Sequence, residues 1–164
     1  MRKVMLAFGA AAALTLAGAA QAATEIYSAS MEAAKETPPN KSLGWGEVTA
    51  TLDTDSKVLT YNVAYQDLTG PATAAHFHSG APGAAGPPVL PITGDLSSAI
   101  VGKATLTDAQ IADLRAGKWY FNVHTAANKG GEIRGQMIAV DQSTQYPKGF
   151  GPSSLPSQPM NGVK

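Results

Sequence analysis

Cysteine is absent from all 164 residues. That absence removes disulfides, zinc–thiolate sites, thiolate-ligated blue copper, haem attachment through Cys-x-x-Cys-His and lipid attachment at cysteine. Whatever holds the fold together must therefore be burial and hydrogen bonding. An excess of charge is also missing, with 12 Lys and Arg against 12 Asp and Glu, so there is no basic surface for nucleic acid. Histidine is scarce: there are only three, which rules out a four-histidine copper site within one chain. No Gly-x-Ser-x-Gly elbow is present, and Gly80-x-x-Gly83-x-x-Gly86 lacks the Lys-Ser/Thr and the helix that a phosphate cradle requires.

Long apolar runs are lacking except at the start. Arg2-Lys3, the apolar stretch from Val4 to about Gly18, and Ala20-Gln21-Ala22 have the layout of a secretory signal with a small-x-small cleavage site. The run is short, Ala-rich and followed by no stop-transfer charges, so cleavage is expected and a membrane span after it is not. Residues 1–22 are accordingly read as an export signal and the product as periplasmic or secreted. The remaining 142 residues would carry a formal charge of −2 and suffice for one domain. A mature chain starting at Ala23 also excludes a histidine brace, which needs a histidine first.

What is present reads mainly as strand. Thr24–Ser30 forms a first strand, and Gly46–Leu52 and Val58–Tyr65 form a hairpin in which Leu59, Tyr61, Val63 and Tyr65 share a face. Thr73–His78 is the next strand. Ser79–Pro91, with four prolines and three glycines, is loop with a short extended piece at Val89-Leu90. One helix is well signed over Asp108–Ala116: Thr107 with Gln110 makes a capping box, Leu106 and Ile111 a staple, and Gly117 a stop. Lys118–Thr125 and Gly131–Val140 are strands joined by a hairpin loop. Beyond Asp141 the composition turns to Gln, Ser, Thr, Pro and Gly, so 23–141 is expected to be the domain and 142–164 a flexible tail. The pattern predicts an all-β sandwich or barrel with one short helix.

The three histidines occupy two of these strands. In Ala75-His76-Phe77-His78-Ser79-Gly80, strand alternation puts His76 and His78 on one face and Phe77 on the other. In Trp119-Tyr120-Phe121-Asn122-Val123-His124-Thr125, the apolar face is Trp119, Phe121 and Val123, and the opposite face is Tyr120, Asn122 and His124. If the two strands are neighbours, His76, His78 and His124 converge on a three-nitrogen site suited to Cu(II) or Zn(II). A fourth position would fall to water, Glu36 or Glu132. The competing reading makes each histidine a hydrogen-bonded polar group on a half-buried face. Glu132 and Arg134 share a strand face either as a solvated ion pair or with Arg134 bracing Glu36 or the loop around the prolines.

Several segments resemble the CHRD (chordin-type) domain family. They are Glu36-Thr37-Pro38-Pro39, then Ala74-Ala75-His76-Phe77-His78-Ser79-Gly80 with Gly86-Pro87-Pro88-Val89. Leu114-Arg115-Ala116-Gly117-Lys118-Trp119-Tyr120-Phe121-Asn122-Val123-His124-Thr125 and Gly130-Gly131-Glu132-Ile133-Arg134-Gly135-Gln136 complete the set. The resemblance covers about Ile26 to Ala139 and is to the small exported bacterial single-domain form. It implies an immunoglobulin-like antiparallel β-sandwich or barrel and places all three histidines in motif positions. Asn128-Lys129-Gly130 stands where relatives tend to have Asn-Pro-Gly. The functional expectation is an exported protein that binds copper or zinc through His76, His78 and His124 for binding, delivery or protection in the cell envelope. Turnover is not expected. The alternative is a metal-free module that binds an envelope protein or polymer through Ser79–Pro91 and the Tyr120/Asn122/His124 face. A copper redox enzyme is a third reading, and it would need an open coordination position.

Overall fold

The structure, a computed structural model, describes residues 23–97 and 99–141; the export-signal and tail readings lie outside them. Alternation dominates from the start. In β1 (Thr24–Glu32), β2 (Trp45–Asp53) and β3 (Val58–Gln66), the apolar members Tyr27, Ala29, Met31, Val48, Ala50, Leu52, Leu59, Tyr61 and Val63 are buried. The polar residues between them face outward, as a half-buried antiparallel sheet demands. β2 and β3 pair in register from Trp45↔Gln66 to Asp53↔Val58. Asp53 closes their turn, its carboxylate accepting from the backbone N–H groups of Asp55 and Ser56 at 3.0 and 2.9 Å.

The chain continues through β4 (Ala72–Ser79), β5 (Pro88–Pro91), β6 (Ile100–Thr105), α1 (Asp108–Arg115), β7 (Trp119–Thr125), β8 (Ile133–Gln136) and β9 (Ile138–Ala139). Among the described residues every strand pairing is antiparallel, and the sheet runs β5-β4-β7-β8-β1-β2-β3-β6, with β9 pairing alongside β1. β4 and β3 are far apart in that order, yet the Phe77 and Tyr61 rings meet edge-on at 5.4 Å. The sheet is therefore curled into a half-barrel around its apolar face, the all-β architecture with one short helix that alternation predicts. Trp119, Phe77, Phe121, Val123 and Ile133 fill the interior from one half, and Met31, Val48, Leu52 and Val63 from the other, all essentially inaccessible to solvent.

The helix forms as its local signals predict. Gln110 N–H donates to the Thr107 hydroxyl at 3.2 Å, and Thr107 N–H donates to the Gln110 side-chain oxygen at 2.9 Å. Leu106, Ile111 and Leu114 are buried beneath it, and Gly117 takes the left-handed φ of 67° that ends it.

Three departures from the sequence reading are physical. β1 extends past Ser30 to Glu32, because its whole length pairs with β2, a partner outside any local window. β6, unsigned locally, is recruited by pairing Ile100–Thr105 against Val58–Val63. The strand expected over Gly131–Val140 is divided: Met137 N–H turns back to donate to Trp119 O at 2.9 Å, while Ile138 and Ala139 pair with Ser28 and Tyr27 of β1. Among the described residues no helix is long and apolar enough to cross a membrane.

Candidate metal centre

β4 and β7 are hydrogen-bonded neighbours, with Ala74 opposite His124, His76 opposite Asn122 and His78 opposite Tyr120. Phe77 and Phe121 pair on the core side, their rings 4.7 Å apart, which leaves all three histidines on the other face. His76, His78 and His124 come together there, each offering a ring nitrogen such that all three lie within 4.8 Å of one another. Among the described residues no carboxylate joins this group.

Carbonyl groups set the tautomers. His78 Nδ1 lies 2.8 Å from Gly86 O and His124 Nδ1 lies 3.0 Å from Lys129 O. A carbonyl only accepts, so both Nδ1 atoms carry the proton and both Nε2 atoms keep a lone pair. His78 Nε2 is buried with no partner, while His124 Nε2 sits 3.1 Å from His76 Nδ1. Metal–nitrogen bonds of ~2.0–2.1 Å in a tetrahedron imply nitrogen–nitrogen edges of about 3.3 Å, so that pair already spans one edge. Backbone carbonyls gripping the far nitrogen of each ring are the usual support for ligating histidines. Lys129 gives this support through its backbone carbonyl, so the identity of its side chain is not what holds His124.

Burial is the main influence pulling all three imidazoles below their ordinary pKa. The neighbouring His124 and His78 add to this at His76; the Arg134 charge adds to it at His78, while the Gly86 and Lys129 carbonyls oppose it at His78 and His124. The rings are thus held neutral, the form that binds metal.

The face bearing the histidines is a second, largely buried polar layer. Glu36, Asn122, Tyr120, Arg134 and Glu132 are all buried on it. The segment after the short 3-10 turn at Ala33–Lys35 covers it from one side, pinned where the Asn40 amide donates to the carbonyls of Gly131 (3.3 Å) and Glu132 (2.9 Å). The Ser79–Pro87 loop covers it from another, with Ser79 N–H donating to Pro87 O at 3.0 Å and Gly80 N–H to Lys118 O at 2.6 Å. A β-carbon on Gly86 would stand 1.6 Å from Ser79 O, so only glycine lets the loop fold this tightly.

Arg134 braces this loop and does not form the surface ion pair with Glu132. Its guanidinium donates to Ala84 O at 2.9 Å and to the Thr37 hydroxyl at 3.2 Å, and lies 3.5 Å from the Tyr120 ring centroid. Tyr120 in turn stacks on His78, with centroids 4.8 Å apart and planes 10° from parallel. Glu132 is unavailable as a ligand: Ser42 Oγ, Thr69 N–H, Thr69 Oγ1, Thr125 Oγ1 and Asn128 Nδ2 all donate to its carboxylate. Glu36 faces Asn122 and stands outside the histidine group, its carboxyl pushed up by burial against the opposing pull of Thr37 N–H, Arg134 and Asn122. Alternation places Asn122 on the histidine face between Tyr120 and His124, but its burial there comes from covering segments that the strand period does not reveal.

The model for the CHRD domain matches residues 27–137. The chain belongs to the CHRD domain family. No curated protein and no solved structure matches it. The match spans the curled sheet from β1 through Met137 and so includes the three histidines, the loop over His78 and the Glu132 cage of this CHRD domain.

Proposed function

We propose that this CHRD-domain protein binds a divalent transition metal, copper first and zinc second, through His76, His78 and His124. It does so in the cell envelope after export, for metal binding, delivery or protection and not for turnover. The convergence of the three ring nitrogens, with His78 and His124 held by carbonyls in the ligating tautomer, carries this reading. His76 is only partly covered, which gives an ion a way in. An imidazole-only donor set suits Cu(II) and Zn(II) and disfavours hard ions such as calcium.

Isothermal titration of the full chain with Cu(II) and with Zn(II), beside His76→Ala and His124→Ala, tests the proposal. Loss of an outer support costs 10–100-fold in affinity, so loss of a direct ligand is expected to cost at least ~100-fold. Equal, weak binding by all three proteins would refute it.

A further inference from the structure

The three histidines leave unexplained two buried acceptors beside them, Asn122 Oδ1 and Glu36 Oε1, neither of which meets a donor. Such atoms are uncommon in folded proteins and call for a specific partner. Asn122 is 2% exposed, and the register makes it the residue next to all three ligands. It lies directly opposite His76, diagonal to His78, and two residues before His124 on the same face. Its amide nitrogen and Glu36 Oε1 are neighbours at Gly131, which borders both.

This neighbour orients the amide. A carboxylate only accepts, so the NH₂ group is the end turned to the Glu36 side, and the oxygen is left for the histidine side, where His78 Nε2 is also without a partner. Buried lone pairs that meet no donor are costly, and a cation bound by both would relieve that cost. Gly131 keeps this approach possible: at its φ of 130°, an added β-carbon would stand 2.2 Å from Glu36 Oε1 and 2.8 Å from Asn122 Nδ2.

We infer that Asn122 Oδ1 is the fourth donor of the metal centre, giving a three-nitrogen, one-oxygen set, and that Glu36 is the positioning residue that turns the amide oxygen inward. This rests on the metal reading above. Histidine nitrogens and one neutral oxygen leave the bound M(II) with its full double charge, so an exchangeable anion or water would be drawn to any remaining open position.

The test uses the full chain loaded with Co(II), whose visible ligand-field bands report the donor set, together with competition affinity for Zn(II). Asn122→Ala is expected to shift the bands and weaken Zn(II) binding by at least about tenfold. Asn122→Asp, nearly the same shape, is expected to fold and bind with bands distinct from both, because a carboxylate replaces the amide as donor. Glu36→Ala is expected to weaken binding with a smaller spectral change. Bands of Asn122→Asp that superimpose on the unaltered protein's, or Asn122→Ala with unchanged bands and affinity, would overturn the assignment while leaving the three-histidine site standing. Absence of any Co(II) band that His76→Ala abolishes would overturn the metal reading itself, and this assignment with it.

Discussion

Replacing Glu132 by glutamine exchanges one oxygen for an NH₂ in a fully buried position, and the structure says what that costs. Ser42 Oγ (2.6 Å) and Thr69 N–H (2.7 Å) donate to Oε1; Thr69 Oγ1 (2.7 Å), Thr125 Oγ1 and Asn128 Nδ2 (3.0 Å) donate to Oε2. Burial pushes the carboxyl pKa up, yet the donors from Ser42, Thr125 and Thr69 together win and hold it at about 2, against an ordinary 4.5. By linkage that depression is worth ~3 kcal/mol of stability with the carboxylate ionised. The folded pKa lies below the unfolded one, so the contribution is complete above about pH 4.5 and is lost as the pH falls towards 2. Glutamine cannot reproduce it. Hydroxyls can reverse, but whichever end the new NH₂ takes, it faces either Thr69 N–H or the Asn128 amide. Urea unfolding followed by circular dichroism should find Glu132→Gln less stable than the unaltered protein by about 3 kcal/mol at neutral pH, and the gap should narrow steadily below about pH 4. A gap that stays constant with pH would show that the hydrogen-bonded charge is not the source of the stability, and so would refute the reasoning.

Two further outcomes are expected. Gly86→Ala places a methyl 1.6 Å from Ser79 O, displaces the carbonyl that holds His78 Nδ1, and should lower Zn(II) affinity 10–100-fold in chelator competition; unchanged affinity would detach the loop from the site. Phe77→Ala removes a ring packed against Tyr61, Trp119 and Phe121 and should cost ~3–5 kcal/mol in denaturant unfolding; a loss under about 1 kcal/mol would mean the two halves of the sheet do not depend on that contact.

What the sequence revealed was local. The helix could be read from Thr107, Gln110 and Gly117 because a cap is written within four residues. The sharing of a face by His76 and His78 followed from the two-residue period of a strand. Where pairing with a distant partner decides the structure, the reading fell short. β6 exists because Val58–Val63 offers it an edge, and Met137 leaves its strand because Trp119 O accepts its N–H. The site divides the same way. Alternation predicts the three-histidine face, but the layer that buries it comes from segments some 40 to 90 residues away, where Thr37 meets Gly83 and Asn40 meets Glu132. This is why Glu132 and Arg134, two residues apart, read as a pair from the strand period and yet belong to separate hydrogen-bond networks. Glu132 is enclosed by Ser42, Thr69, Thr125 and Asn128, while Arg134 holds the loop over His78.

A half-barrel has two free margins, and backbone groups left unpaired there invite another strand to add on. At one margin stands β5, four residues long, whose first and last members, Pro88 and Pro91, have no N–H to offer. At the other stands the short β6, where Lys103 is exposed and any strand laid alongside would have to bury its charge. In a cysteine-free protein that has no covalent lock against misassembly, these rims make the open sheet a poor template for fibrous growth. Edge-to-edge addition of a further strand to the described sheet is therefore expected to be disfavoured as long as the curl around Phe77 and Tyr61 holds.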